Sequence, residues 1–316
     1  MTRRPLGRSA IEVAPLAFGC NVFGWTVDEP TAFVLLDAFV DQGFNLLDTA
    51  DVYSKWALGN HGGESETIIG RWLARSGKRD RVVIATKVGM EMGAGKKGLS
   101  RSYIVEAAEA SLRRLQVDCI DLYQAHNEDP QTPIEETLEA FAQLMRDGKV
   151  RAIGASNYTA AGLRRALEAS ERRGLPRYES LQPLYNLYSR AEFETELAPL
   201  AREQQLGVIA YYALASGFLS GKYRSEADLA QSPRGESVKK YLNERGLRIL
   251  AALDEVAKAK SAKPAQVALA WLIAQPGITA PIASATTRAQ LRELIAATQI
   301  ELDQASLAIL DRASAP

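Results

Sequence analysis

The stretch GFNLLDTADVYS, Gly43 to Ser54, decides how the rest of the chain is read. Its first part, Phe44-Asn45-Leu46-Leu47, is apolar and partly alternating. It ends in Asp48-Thr49-Ala50-Asp51-Val52-Tyr53, with a polar, glycine-containing segment beyond. That pattern predicts a short buried strand running out at an edge where an acid and a phenol appear together. Taken alone, Asp48 serves equally as a strand-end turn or helix cap, and Tyr53 as a half-buried packing tyrosine. The same event recurs twice: VVIATK ends in Lys87, and DLYQAH ends in His126. Three strand-like runs, each delivering an ionisable side chain at its carboxyl end, are what a parallel barrel or sheet needs to assemble a site.

Outward from this stretch, strand-like and helix-like runs alternate without a compositional break. A small hairpin is expected within residues 3 to 14 and a first core strand at Leu16–Gly19. Further strands are expected at Val82–Thr86, Cys119–Gln124, Ala152–Ala155, Glu179–Gln182, Gly207–Tyr211 and Thr279–Ile282. Helical spacing predicts helices at Glu29–Gln42, Glu64–Ala74, Arg101–Leu115, Pro133–Met145, Thr159–Arg172, Glu192–Gln205, Gly246–Lys258, Pro264–Ile273, Thr287–Thr298 and Asp303–Leu310, with Ser100 as a candidate cap. Eight strand-helix units place the whole chain, 1–316, in one (β/α)8 barrel domain, an α/β fold; a doubly wound open sheet is the alternative. One polar insertion, residues 222 to 243, interrupts the pattern and reads as a loop or lid long and polar enough to suit disorder.

Composition removes several function classes. Lys plus Arg and Asp plus Glu number 38 each, so the net charge gives no reason to expect nucleic acid or an anionic membrane as partner. Hydrophobic residues make up 47%, too many for disorder, yet no apolar run approaches the roughly 20 residues that span a bilayer. The amino terminus lacks the apolar core of a secretory signal, and the two cysteines, Cys20 and Cys119, lie far apart; both point to a cytoplasmic, reducing location.

In a barrel, Asp48, Tyr53, Lys87 and His126 rim one mouth. That set, with no serine or cysteine at a sharp elbow, argues for proton transfer rather than acyl chemistry. A tyrosine titrates near about 10 in water, so it works near neutrality when a neighbouring ammonium favours its anion and a carboxylate holds that ammonium. A metal site is not expected: the only other histidine is His61, in a glycine-flanked loop, and the set falls short of zinc ligation. The ordinary alternatives are a buried Lys87–Asp48 ion pair and a satisfied polar His126. Aromatic and polar residues near the strand ends, Asn21, Trp25, Trp56, Asp51 and His61, are candidates for the pocket lining, a surface suited to aromatic aldehydes and to sugars.

Beyond these residues the chain resembles an aldo-keto reductase over almost its whole length. The stretches that carry the likeness are GFNLLDTADVYS, VVIATK, DLYQAH, IGASNY, the Gln182 strand, AYYALASGFLSGKY and PAQVALAWLIAQPGITAPIASA. The resemblance implies an NAD(P)(H)-dependent barrel oxidoreductase that reduces an aldehyde, ketone or sugar. It gives Tyr53 the role of general acid-base, tuned by Lys87 and Asp48, with His126 hydrogen-bonding the substrate oxygen. It also implies Ser156, Asn157 and Gln182 on the carboxamide, Tyr211 stacked on the nicotinamide, and Ala213, Gly217, Leu219, Gly221 and Lys222 around the pyrophosphate. Tyr212-Ala213 stands where many relatives have Ser-Pro, and Ser284-Ala285-Thr286 replaces a commonly basic pattern. Ser284, Thr286, Arg288 and Gln290 are the expected readers of a 2′-phosphate, which favours NADP(H), with NAD(H) as the second possibility. The rival readings are a sugar or alcohol dehydrogenase working oxidatively, a regulatory subunit on the same barrel, and a sugar-phosphate isomerase or lyase.

Overall fold

The structure, a computed structural model describing residues 2–315, opens with an antiparallel hairpin of β1 (Arg4–Pro5) and β2 (Glu12–Val13). Eight further strands follow: β3 (Ala17–Gly19), β4 (Leu46–Asp48), β5 (Val83–Val88), β6 (Ile120–Ala125), β7 (Val150–Ser156), β8 (Tyr178–Gln182), β9 (Gly207–Ala210) and β10 (Ile278–Ala283). They are parallel and close into a barrel in the order β10-β3-β4-β5-β6-β7-β8-β9. Closure rests on β10, which pairs with β3 on one side and β9 on the other, so the open-sheet alternative does not apply.

Strand periodicity sorts the side chains. Leu46, Ala85, Leu122, Ala152 and Ile209 belong to an inner cluster, whereas Leu47, Ile84, Tyr123, Ile153 and Val208 pack outward with the helices. Successive strand residues face opposite sides, so two steps on from Leu46, Ala85, Leu122 and Ile209 bring Asp48, Lys87, Gln124 and Tyr211 inward near the carboxyl end. The hairpin contributes Leu6, Ile11 and Val13 to the inner cluster and stoppers the opposite end. Its approach is close: a Cβ on Gly207 would lie 2.7 Å from Leu6 Cδ1 and 2.8 Å from the Gly7 nitrogen, so only glycine fits there.

The helices form the outer layer. α1 (Glu29–Asp41) starts where Asp28 accepts from the Thr31 amide, and α2 (Glu64–Ser76) ends on the left-handed Gly77. Then come α3 (Arg101–Leu115), α4 (Ile134–Arg146), α5 (Ala160–Arg173), α6 (Ala198–Glu203), α7 (Gly235–Val238), α8 (Glu244–Ala259), α9 (Pro264–Ala274), α10 (Arg288–Ala297) and α11 (Gln304–Ser314). Two local expectations need correcting. Ser100 precedes α3, but its side chain makes no capping bond. The helix expected over 192–205 widens into a π-helical turn at Phe193–Leu197 before α6.

The insertion at 222–243 is not disordered. Tyr223, Val238 and Tyr241 are buried in it, Phe218 stacks on Tyr241 at 5.4 Å, and Arg224 grips Asp254 of α8 through two 2.8 Å bonds. Three buried apolar anchors supply what its polar sequence hides. Among the described residues no helix is long and apolar enough to cross a membrane.

Candidate active site

Asp48, Lys87 and Tyr53 meet at the carboxyl ends of β4 and β5. The Lys87 ammonium, wholly buried, lies 2.8 Å from Asp48 Oδ1 and 2.9 Å from Oδ2. It also donates to the Thr49 carbonyl at 2.7 Å and to the Tyr53 hydroxyl at 2.8 Å. Tyr53 in turn donates to Asp48 Oδ2 at 3.2 Å, and Gln182 Nε2 of β8 donates to Asp48 Oδ1 at 2.8 Å. The phenol ring reaches the mouth while its hydroxyl is turned toward this buried layer. His126, one residue past β6, stands with its ring centroid 6.0 Å from that of Tyr53.

Electrostatics assign the protonation states. Burial, with the Asp48 carboxylate beside it, pushes the Tyr53 phenol well above its usual value. The sequence alone expects the ammonium to favour the tyrosinate; in the structure Asp48 already balances that ammonium, so desolvation wins and the resting phenol keeps its proton. Burial pulls Lys87 down, opposed by Asp48, and pulls His126 well down, helped by Lys87. His126 is therefore a neutral imidazole with one N–H to give, and its Nδ1 has no partner among the described residues.

These groups open into a cavity of about 450 Å³, within the range of small-molecule sites. Asp48, Tyr53, His126, Ser156, Asn157, Gln182, Tyr211, Ala213, Gly217, Asn21, Trp56 and Ser284 all line it. Asn157 donates to the His126 carbonyl at 2.9 Å and accepts from Tyr211 at 2.7 Å; Ser156 donates to the Gln182 carbonyl at 3.0 Å. This wall of the cavity is thus braced by its own hydrogen bonds. Lys222 is exposed, and a Cβ on Gly217 would meet its Cε at 3.7 Å and Nζ at 3.9 Å, so an ammonium hangs beside that glycine at the cavity edge.

Other expected residues lie elsewhere. Trp25 is not among the lining residues and meets one of them, Trp56, edge-on at 5.8 Å. His61 is exposed, its amide bound by Glu64, and takes no part in the lining. Leu219 is fully buried, and Gly221 forms a left-handed cap. Thr286 donates its amide and hydroxyl to Gln290 at 2.8 and 3.0 Å, and Ser284 donates to Asn21 at 2.7 Å. Arg288 is exposed at the start of α10, beside a groove shared with Asp37 and Asp41 of α1. Sequence reasoning missed several lining residues, among them Met90, Asn127, Ser216, Tyr212 and Arg234. Among the described residues no group of three or more His, Cys, Asp or Glu side chains is arranged to hold a metal.

Asp51 departs from the expected mouth position. It is buried, neither carboxylate oxygen has a hydrogen-bond partner among the described residues, and burial with Glu66 nearby raises it from 3.8 to about 8. Between those two values the folded chain holds a proton that the unfolded chain has lost, so this group makes stability fall as pH rises from about 4 to 8. The slope is at most about 1.4 kcal/mol per pH unit. Asp51→Asn is expected to flatten the pH dependence of the thermal midpoint across that window. Parallel wild-type and variant curves would mean that Asp51 is ionised in the folded protein.

Known proteins resemble the chain over nearly its whole length. The Aldo/keto reductase family model matches residues 15–315. A Bacillus subtilis (strain 168) protein described as "Uncharacterized oxidoreductase YrpG" is 38% identical over 314 residues, covering 97% of this chain and 94% of that protein. "Protein tas" of Escherichia coli (strain K12) is 34% identical over 328 residues, covering 96% of this chain and 94% of the relative. A "Probable voltage-gated potassium channel subunit beta" of Arabidopsis thaliana is 34% identical over 308 residues, covering 95% and 92%.

Proposed function

The chain belongs to the aldo/keto reductase family of oxidoreductases, and from that premise we propose that it reduces aldehydes or ketones to alcohols, reversibly, with NADPH. The observation that carries the reading is the phenol of Tyr53 held between the Lys87 ammonium and the Asp48 carboxylate at a cavity mouth, with a neutral His126 beside it. The same four groups favour catalysis over a purely regulatory barrel, because a buried lysine, acid and phenol in mutual contact are costly to keep without a use.

The residues fit a nicotinamide dinucleotide. Tyr211 offers a ring face in the cavity wall, and Gln182, whose nitrogen is spent on Asp48, keeps its carbonyl oxygen for an amide. Ser156 and Asn157 lie beside it, and Lys222 above Gly217 brings positive charge to the loop Ala213–Lys222. When bound, the reduced nicotinamide supplies a hydride to the carbonyl carbon. The protein does the rest: Tyr53 gives its proton to the carbonyl oxygen, and His126 donates its N–H to the same atom. Lys87 at 2.8 Å stabilises the phenolate left behind, while Asp48 fixes the ammonium. In alcohol oxidation the proton returns to Tyr53.

Quenching of tryptophan fluorescence by NADPH, followed by turnover of 4-nitrobenzaldehyde, methylglyoxal and free aldoses in both directions, tests this reading. Activity confined to sugar oxidation would replace the reductase direction and keep the chemistry; no binding of either cofactor would end the proposal. For the cofactor we expect NADPH to bind at least tenfold more tightly than NADH, about 1.4 kcal/mol. Its 2′-phosphate is read by Arg288 with the hydroxyls and amide at the start of α10. Arg288→Ala is expected to weaken NADPH and leave NADH nearly unchanged. Equal dissociation constants for the two in the wild type would refute the preference.

A further inference from the structure

Strand β6 and the residue after it turn Leu122, Gln124 and His126 toward the barrel interior, since Tyr123 and Ala125 between them pack outward with the helices. Leu122 belongs to the inner apolar cluster, so Gln124 is a buried amide standing between that cluster and the imidazole. Its place is built. Gln124 is level with Lys87 of β5 and Gly154 of β7, and Gly154 is level with Ser180 of β8. A Cβ on Gly154 would meet Ser180 Oγ at 2.1 Å and Gln124 Cγ at 3.1 Å. The bare glycine thus lets the amide cross to Ser180, whose hydroxyl donates to Gln124 Oε1 over a long 3.5 Å. The amide nitrogen has no partner among the described residues, and neither has Nδ1 of His126. Two buried polar atoms unpaired on one face of one strand are costly unless something joins them.

The two atoms are complementary. His126 lines the cavity, and Nδ1 is the ring nitrogen closed off from it, which leaves Nε2 to face the substrate oxygen. With the one proton of the neutral ring on Nε2, Nδ1 is a lone pair that needs a donor. The other donors nearby are spent. Lys87 uses its three hydrogens on Asp48, the Thr49 carbonyl and Tyr53, and the Tyr53 hydroxyl goes to Asp48. Asn157 gives its two amide hydrogens to the His126 carbonyl and Ser156 Oγ, and Ser156 gives its own to the Gln182 carbonyl. Only the Gln124 amide still has hydrogens to give. Inward residues two apart on a strand stand roughly 6–7 Å from each other, a gap that one water bonded at each end can bridge. Gln124 is not among the lining residues, so neither cofactor nor substrate supplies this link.

Resting on the reductase reading above, we propose that Gln124 is a positioning residue: through one buried water its amide donates to Nδ1 of His126 and holds the imidazole in the tautomer whose Nε2–H points at the carbonyl oxygen. The water accepts from Gln124 and turns its own hydrogen to the ring. Strand β6 thereby delivers the donor that the reaction uses and, two residues earlier, the group that keeps its proton on the right nitrogen.

Nitrogen NMR of the isotope-labelled full chain reads the tautomer directly, because the chain has only 2 histidines and the exposed His61 is removed by His61→Gln. Near neutrality His126 is expected to show a protonated Nε2 and a bare Nδ1, with and without NADPH. Gln124→Leu, which suits the apolar layer below, is expected to let the second tautomer appear. It should also lower kcat about fivefold to tenfold, the worth of one hydrogen bond, with NADPH binding unchanged. Gln124→Glu, a carboxylate that accepts where the amide donates, is expected to draw a proton onto Nδ1. A proton already on Nδ1 in the wild type overturns the proposal, and so does a Gln124→Leu protein whose tautomer is unchanged. Should Gln124→Leu fail to fold, the wild-type and Gln124→Glu spectra decide alone. The tautomer is read without substrate, so a chain that shows the expected tautomer yet reduces no carbonyl counts against the reductase reading and not against the hold of Gln124 on the ring.

Discussion

Tyr53→Phe is expected to fold normally, to bind NADPH as the wild type does, and to reduce carbonyls at least about a hundredfold more slowly, the scale of a positioned general acid. The ring stays, so its edge contacts with Trp56 at 6.1 Å and His126 at 6.0 Å are preserved. Lys87 retains Asp48 and the Thr49 carbonyl as partners after the hydroxyl is gone, so no charge is left unpaired. What disappears is the one neutral acid in contact with both the ammonium and the carboxylate. Stopped mixing of enzyme, NADPH and 4-nitrobenzaldehyde, watched at the nicotinamide absorbance, separates the chemical step from cofactor release. Turnover near the wild-type rate in a folded Tyr53→Phe protein would remove the phenol from the mechanism and leave His126 or a solvent proton in its place.

The parts of this site that could be read in the sequence are those that strand periodicity governs. Asp48, Lys87, Gln182 and Tyr211 lie at alternate positions on, or one step beyond, strands whose apolar residues fix which way the next side chain must face. Past the strand ends that rule lapses. Asp51 sits only three residues after Asp48, but the chain has turned, its amide facing the Lys87 carbonyl, and its carboxyl goes to the buried side with Glu66 of α2. His61 and Trp25 were placed at the mouth by residue type alone; neither lines it. Tyr212 and Arg234 were illegible for a related reason: one has a backbone angle that only glycine would have advertised, and the other lies in an insertion whose polar composition conceals the buried Tyr223, Val238 and Tyr241. Barrel closure and helix order follow from patterns that run the length of the chain, so they survive local errors such as the π-helical turn before α6.

Lys87→Met is expected to have the other large effect, and it acts on rate, stability and pH at once. The substitution keeps length and removes the charge, leaving Asp48 buried with only Gln182 Nε2 and the Tyr53 hydroxyl as partners. Breaking a buried ion pair by removing one member costs about 3–5 kcal/mol, so the thermal midpoint should drop markedly. Turnover should fall at least about a hundredfold, because no cation then faces the phenolate formed when Tyr53 gives up its proton. The pH profile carries the sign. Burial and Asp48 already hold the phenol above its usual value, and the ammonium at 2.8 Å opposes them; without it the phenol rises further. Alcohol oxidation needs the phenolate, so its rising limb should move to higher pH in Lys87→Met. The double variant Asp48→Asn with Lys87→Met removes both charges together and should recover much of the lost stability, since no buried carboxylate is stranded, while turnover stays low. If the single variant loses stability but keeps the wild-type pH profile in the oxidative direction, Lys87 only holds the barrel mouth together. If the double variant regains turnover along with stability, the phenol works without the ammonium.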